Sequence, residues 1–241
     1  MSTELTYEGY LRLRELLSLQ ERASSPDEHL FIVIHQTHEL WFRQILTELT
    51  AARDEMFAYD LVAAAANLRR TAVIFKLLVE HWSVLSTLTP AGYLSFRATL
   101  GTGSGFQSSQ FREIEFLCGL KEPEFLNRVP LTYDERARLG ARLAEPALTD
   151  AFHDVLSRAG DPTLVELMTS ADKENGELRA LCEALMDVDE NLAHWRARHT
   201  ILVERQIGYK AGTGGSAGVP YLRSTLTTRL FPELWALRTE M

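Results

Sequence analysis

The chain is poor in cysteine, and this excludes two kinds of protein. Cys118 and Cys182 are the only cysteines among 241 residues. Two thiols make no disulfide framework, which suits a reducing compartment. The sequence contains no Cys-x-x-Cys-His motif, so covalent attachment of a c-type haem is excluded as well.

Long apolar runs are missing too. No run approaches the roughly 20 residues that a membrane-spanning helix needs. The first four residues are polar and lack the charged-then-apolar layout of a secretion signal. We therefore expect a cytoplasmic protein that does not bind membranes.

Positive charge is also in short supply. The 25 lysines and arginines are outnumbered by 33 acidic residues, which gives a net charge of -8. Nucleic acid and acidic membrane surfaces are poor partners for such a chain. Its 46% hydrophobic and 24% charged residues are an ordinary balance. The length suits one core, so we predict a single domain over residues 1–241.

Alternating strand patterns are scarce, and apolar residues recur every three or four positions. This spacing predicts an all-α fold, a bundle of long helices with a C-terminal glycine-rich loop at residues 212–218. The helices are predicted over residues 7–20, about 24–57, 61–88, a shorter one ending near 117, 134–143, 148–158, a long one within 172–207, and a last segment over 221–237.

Two of the seven histidines sit inside apolar stripes. An imidazole on a buried face needs a partner, which can be a metal, a ligand or a backbone carbonyl. A single histidine on such a face more often has a structural role. Because two such stripes occur in one bundle, a functional role is favoured about as much as a structural one. The stripes are Phe31, His35, His38 and Phe42 on one helix, and Val188, Leu192, Trp195, His199 and Leu202 on another.

A non-haem metal site is the competing interpretation. His35 and His38 could ligate one ion, with Glu39 adjacent. Carboxylate-bridged di-iron bundles, however, use Glu-x-x-His pairs, and no histidine here has a glutamate three residues before it. A haem needs one axial histidine and an apolar slot, which the His199 stripe supplies. Composition alone leaves both readings open.

Two segments could hold an anion. The loop at residues 210–218 has several glycines, whose backbone N–H groups can bind an anion together, although a flexible turn is an equal alternative. Tyr93 and Arg97 lie four residues apart and share a helical face. An arginine there could bind a carboxylate with two parallel hydrogen bonds, although a solvated surface arginine is more common.

Several longer motifs run in order along nearly the whole chain. They are DEHLFIVIHQTHELW at 27–41, WSVLSTLTP at 82–90, SGFQSSQFREIE at 104–115, HWRARH at 194–199 and IGYKAGTGGS at 207–216. In these motifs the chain resembles the tryptophan 2,3-dioxygenase family.

The resemblance implies an all-helical homotetramer with one haem b per subunit. It further implies that ferrous haem and O2 open the C2–C3 bond of the indole of L-tryptophan, giving N-formylkynurenine. His199 would be the axial ligand of the iron, with Trp82 and Ser104 flanking the haem. His35 would be the catalytic residue that hydrogen-bonds the indole nitrogen.

The same resemblance implies a substrate site. Arg97 would hold the carboxylate of the substrate with help from Tyr93. Thr213 would meet the ammonium group, and Phe31 would pack on the indole. Tyr7, Tyr10 and Leu11 would close the pocket of a neighbouring subunit.

The chain also departs from the family pattern. Pro26 stands where the family usually has histidine, His29 replaces a methionine, and His38 replaces another residue type. The connection over residues 160–178 is shorter than usual. These departures keep a rival open, a haem monooxygenase that inserts one oxygen atom into a substituted tryptophan, for example to give an oxindole. A second rival is a non-catalytic sensor of haem or an amino acid, although the complete set of substrate residues argues against it.

Overall fold

The computed structural model describes residues 5–21, 23–170 and 175–241, and no strand occurs among them. The all-α prediction is therefore confirmed for these residues. The α-helices are α1 (Tyr7–Leu11), α2 (Leu13–Ser18), α3 (Pro26–Ala58), α4 (Leu61–Leu85), α5 (Pro90–Phe96), α6 (Ser109–Leu117), α7 (Tyr133–Ala144), α8 (Leu148–Arg158), α9 (Leu164–Thr169), α10 (Gly176–Ile207), α11 (Val219–Ser224) and α12 (Pro232–Ala236).

The core lies between the three long helices α3, α4 and α10, and α4 packs along both of the others. Leu49 of α3, Phe75 of α4 and Leu185 of α10 are completely buried there. Burying a side chain of this size stabilises the fold by about 1.5–3 kcal/mol. The apolar stripes read from the sequence thus face one shared interior.

The ends of the long helices follow the sequence signals. The Ser25 hydroxyl accepts a hydrogen bond from the backbone N–H of Glu28 at 3.1 Å, and Pro26 occupies the first turn of α3. The carboxylate of Asp60 caps α4 through the N–H of Ala63 at 3.0 Å. Gly208 ends α10 with a φ of 59°, as the glycine predicts.

Two predicted helices are interrupted. The helix predicted over residues 7–20 breaks at Arg12, which has a left-handed φ of 51°. Neither of the two pieces contains a buried residue, so no packing holds a longer helix together. The long helix predicted within residues 172–207 is α10, although residues 172–174 lie outside the described residues. The short helix α9 was not predicted.

The segment predicted as one helix over 221–237 is divided into α11 and α12. Pro232 begins α12, and Asp189, which is 1% exposed on α10, binds the segment just before it. Its carboxylate accepts hydrogen bonds from the backbone N–H groups of Leu230 at 2.8 Å and Phe231 at 3.1 Å. These groups are turned toward α10, so they cannot continue a helix.

A buried ion pair joins α10 to α6. The guanidinium of Arg196 donates to the carboxylate of Glu115 at 2.7 Å, and both side chains are less than a tenth exposed. Arg112 lies 2.9 Å from the same carboxylate. Because Arg196 precedes His199 by one helical turn, the pair fixes the rotation of α10 near that histidine. No helix in the described part of the chain is long and apolar enough to cross a membrane.

Candidate active site

His35 and His199 line the same cavity, although they come from helices at opposite ends of the sequence. The cavity has a volume of about 90 Å³ and is walled by α3, α4, α5 and α10. Its lining is mostly apolar: Phe31, His35, Trp82, Leu85, Leu88, Tyr93, His199, Leu202, Val203, Gln206 and Ile207. Both stripe histidines therefore line one cavity.

His35 is held in one orientation by its own helix. Its Nδ1 lies 2.7 Å from the carbonyl oxygen of Phe31 and donates to it, which leaves Nε2 as a hydrogen-bond acceptor. The rings of Phe31 and His35 are 4.0 Å apart. Burial lowers the pKa of His35, so the ring is neutral and can accept a hydrogen bond from a ligand N–H.

His199 lies against two indoles. Its ring is stacked on Trp82, with centroids 4.7 Å apart and planes 22° apart, and on Trp195 at 5.6 Å and 24°. Burial, with a smaller contribution from the charge of His35, lowers the pKa of His199 to about 4. A neutral imidazole is the form that binds iron, so His199 can serve as an axial ligand.

The residues around His199 fit a haem. Leu85, Leu88 and Leu202 supply the apolar wall that a macrocycle requires, and His199 supplies a neutral ligand. The cavity is smaller than a porphyrin, so the lining side chains must separate to admit one. The described residues contain no group of three or more histidine, cysteine or acidic side chains that could hold a non-haem metal ion.

Arg97 and Thr213 line a second, open cavity of about 370 Å³, with Leu94, Ala98 and Gly101. The guanidinium of Arg97 donates to the carbonyl oxygen of Ala211 at 2.9 Å. Its Nε is buried and has no partner in the part of the chain that the structure describes. Because Arg97 lines this cavity and is positively charged, the cavity is suited to an anion.

Two contacts fasten the glycine-rich loop to the turn after α5. The Thr213 hydroxyl donates to the carbonyl oxygen of Gly103. Gly214 lies directly against Ser104, and a Cβ added at this glycine would come within 2.5 Å of the Ser104 Cβ. A glycine is therefore required at position 214 for the loop to approach so closely.

The other predicted site residues are distributed differently. Trp82 and Tyr93 line the first cavity, whereas Ser104 lines neither. The Ser104 hydroxyl instead accepts from the N–H of Phe106 at 3.3 Å. Tyr7 and Tyr10 lie on α1 with 76% and 70% of their surface exposed, and Leu11 is 41% exposed.

One stripe histidine lies outside the cavity, and one lining residue was not predicted. His38 shares a stripe with His35, but it does not line the cavity, and its ring is stacked on Trp82. Gln206 lines the cavity and was not singled out. Its position seven residues after His199 places it on the same face of α10, which is the signal that could have found it.

The fold and the site define a helical protein in which two histidines, kept neutral by burial, line one apolar cavity. Arg97 lines a second cavity and follows Tyr93, which lines the first, by four residues. The family model described as tryptophan 2,3-dioxygenase matches residues 1–160 and 135–241. The chain belongs to the tryptophan 2,3-dioxygenase family, a family of oxidoreductases, and the resemblance read from the motifs is confirmed.

Individual relatives match over the whole length. A tryptophan 2,3-dioxygenase of Nocardioides sp. is 47% identical, and the match covers 99% of this chain and 95% of the relative. The protein of the same name from Herpetosiphon aurantiacus is 41% identical over 100% of both chains. That of Saccharopolyspora erythraea is 43% identical over 99% of this chain and 93% of the relative.

Proposed function

We propose that this chain is a haem-dependent dioxygenase that opens the C2–C3 bond of the indole of L-tryptophan with O2 and releases N-formylkynurenine. One observation carries the proposal most directly: in a member of this family, His35 and His199 face one apolar cavity. The names of its relatives support tryptophan as the substrate.

His199 would hold the iron of one haem b per subunit, with Trp82 and Ser104 at its flanks. Bound there, haem supplies the iron at which O2 is activated. The depressed pKa of His199 supports this role, because the neutral ring needs no deprotonation before it ligates.

Arg97 would bind the carboxylate of the substrate and Thr213 its ammonium group. Arg97 now donates to the backbone carbonyl of Ala211, and a substrate would replace this neutral acceptor with a charged carboxylate. The Thr213 hydroxyl donates to the carbonyl of Gly103, which leaves its oxygen free to accept a hydrogen bond from the ammonium. A charge-assisted hydrogen bond is about twice as strong as a neutral one, which favours the exchange. Tyr93 would assist Arg97 from the last turn of α5.

Phe31 would pack on the indole, and His35 would accept the indole N–H at Nε2. This arrangement requires no strong base, only a neutral acceptor, and burial keeps His35 neutral. Its contribution would be to orient the indole beside the haem and to help exclude water.

Tyr7, Tyr10 and Leu11 would cover the substrate pocket of a neighbouring subunit in a homotetramer. The exposure of these three apolar side chains supports the proposal, since single chains seldom leave large apolar residues together in water. The site would then be completed only by a second copy of the chain.

The test is a turnover experiment with labelled oxygen. The protein is loaded with haem, reduced, and mixed with L-tryptophan under ¹⁸O₂. We expect a Soret band and a product with the mass of N-formylkynurenine carrying two labelled atoms.

Each alternative gives a different result. One labelled atom in the product would assign a monooxygenase, and haem binding without turnover would assign a sensor. A protein that takes up no haem would overturn the proposal entirely.

A further inference from the structure

His38 forms one end of a column of three stacked rings that ends at His199. Its ring lies 4.2 Å from that of Trp82, with the planes 30° apart. Trp82 in turn lies 4.7 Å from His199 at 22°. The column therefore runs from α3 across α4 to α10. Trp82 and His199 line the cavity, whereas His38 does not.

The orientation of His38 is fixed from behind. Its Nδ1 donates to the carbonyl oxygen of Ile34 at 2.7 Å, so Nε2 carries a bare lone pair. The side chain is 3% exposed, and burial lowers its pKa to about 3, which keeps the ring neutral.

The Nε2 atom of His38 is buried without a hydrogen-bond partner in the described part of the chain. An apolar side chain of similar volume would fill this position without leaving a polar atom unpaired. Filling space therefore does not by itself account for this side chain. What its ring offers over an aliphatic side chain of similar volume is a flat face, held by the hydrogen bond to Ile34 and laid on the indole of Trp82.

We propose that His38 is a positioning residue that acts through Trp82 on His199. By fixing the plane of the Trp82 indole, His38 restricts rotation of the His199 ring and so sets how the axial imidazole meets the iron. Trp195 limits the same ring at 5.6 Å. The inference rests on the proposed function, because it takes His199 as the axial ligand.

Groups that orient a ligating histidine typically change metal affinity by about 10- to 100-fold. His38→Leu keeps the volume and removes the flat face. We expect haem to dissociate about tenfold faster from this variant. The iron–histidine stretching band of the ferrous protein, measured by resonance Raman, should shift or broaden.

Thermal unfolding of the haem-free variant supplies the second measurement. Because leucine removes an unpaired buried nitrogen, the melting temperature should be unchanged or higher. A purely structural histidine would move both measurements in the same direction, whereas a positioning residue weakens haem binding without weakening the fold.

Two further variants complete the comparison. His38→Phe keeps a flat ring and should retain haem within about twofold of the wild type, whereas His38→Gln keeps polarity but should resemble the leucine variant. His153→Leu is the matched control, since that side chain is 63% exposed and contacts Glu233 far from the column.

The outcomes separate the two claims. A wild-type protein without an iron–histidine band would refute the axial role of His199 and this inference with it. If the band is present but His38→Leu and His38→Gln both leave it and haem dissociation unchanged, His38 does not position the ligand and only the further inference fails.

Discussion

The N-terminal helices and the three long helices contain similar kinds of apolar residues but use them differently. In α1 and α2 no residue is buried, although this segment carries Tyr7, Tyr10 and Leu17. In α3, α4 and α10, leucines and phenylalanines are completely buried and hold the two histidines at one cavity.

The contrast indicates that the long helices and the N-terminal helices contribute differently to the protein. The long helices stabilise the fold and place His35 and His199, and changes there should alter stability or haem binding. The N-terminal helices contribute no buried residue to the core of their own chain. If they cover the pocket of a second copy, as proposed, changes there should alter substrate binding and not stability. The predictions below test this division.

His199→Ala should abolish stable haem binding, because it removes the nitrogen proposed to ligate the iron while leaving an apolar wall. We expect at least a hundredfold faster loss of haem, measured by transfer to an excess of apomyoglobin. His153→Ala, an exposed histidine, serves as the control and should retain haem. Stoichiometric haem in the His199 variant would assign the ligand elsewhere.

Glu115→Ala should destabilise the core by about 3–5 kcal/mol, since it leaves Arg196 charged and unpaired in the interior. The measurement is the free energy of unfolding in urea. Glu204→Ala breaks the exposed pair with Arg223 and should cost less than about 1 kcal/mol. Equal losses in the two variants would show that the buried pair is not what joins α6 to α10.

Arg97→Ala should weaken substrate binding by about 2–4 kcal/mol if the carboxylate pair is desolvated. The loss should be visible as a KM raised at least about thirtyfold, with haem content and the unfolding free energy unchanged. Arg238→Ala, which removes a surface pair with Glu183, is the matched control. An unaltered KM would contradict the carboxylate role.

Tyr10→Ala should leave the melting temperature unchanged, because the side chain has no buried contact within its own chain. Substrate affinity should fall several-fold, by about 1 kcal/mol, if the ring closes a neighbouring pocket. Tyr133→Ala, which removes another aromatic that is 87% exposed, should do neither. A lower melting temperature with normal substrate affinity would show that Tyr10 stabilises its own chain and does not close a neighbouring pocket.

Much of the fold and part of the site could be predicted from the sequence, because local spacing determines them. The three-and-four periodicity identified the long helices and put His35 and His199 on buried faces. The cap at Ser25 and the stop at Gly208 depend on neighbouring residues, so the local sequence determines them too.

What could not be predicted depends on packing between distant segments. The segment before α12 is bound by Asp189 of α10, which lies 41 residues away along the chain from Leu230. Likewise, His38 and His35 share one stripe of α3, yet Trp82 of α4 separates His38 from the cavity. Periodicity assigns a residue to a face but does not say which neighbour covers it.

The last expected effect concerns acid stability within the long-helix core. The pKa of His38 is about 3 in the folded chain, because of burial, against about 6.5 in an unfolded chain. Between these values the unfolded state binds one more proton, so the folded state loses stability as the pH falls. The slope is about 1.4 kcal/mol per pH unit, which amounts to about 2 kcal/mol between pH 6.5 and pH 5.

His38→Leu removes this proton uptake. The free energy of unfolding in urea is measured for both haem-free proteins. Relative to the wild type, that of the variant should rise by about 2 kcal/mol as the pH is lowered from 6.5 to 5. Tyr10→Ala should run parallel to the wild type over the same range, because no titrating group of the core is altered. If the unfolding free energy of His38→Leu instead changes with pH as that of the wild type does, the imidazole of His38 is protonated in the folded chain. His38 would then be in contact with water, contrary to what its burial indicates.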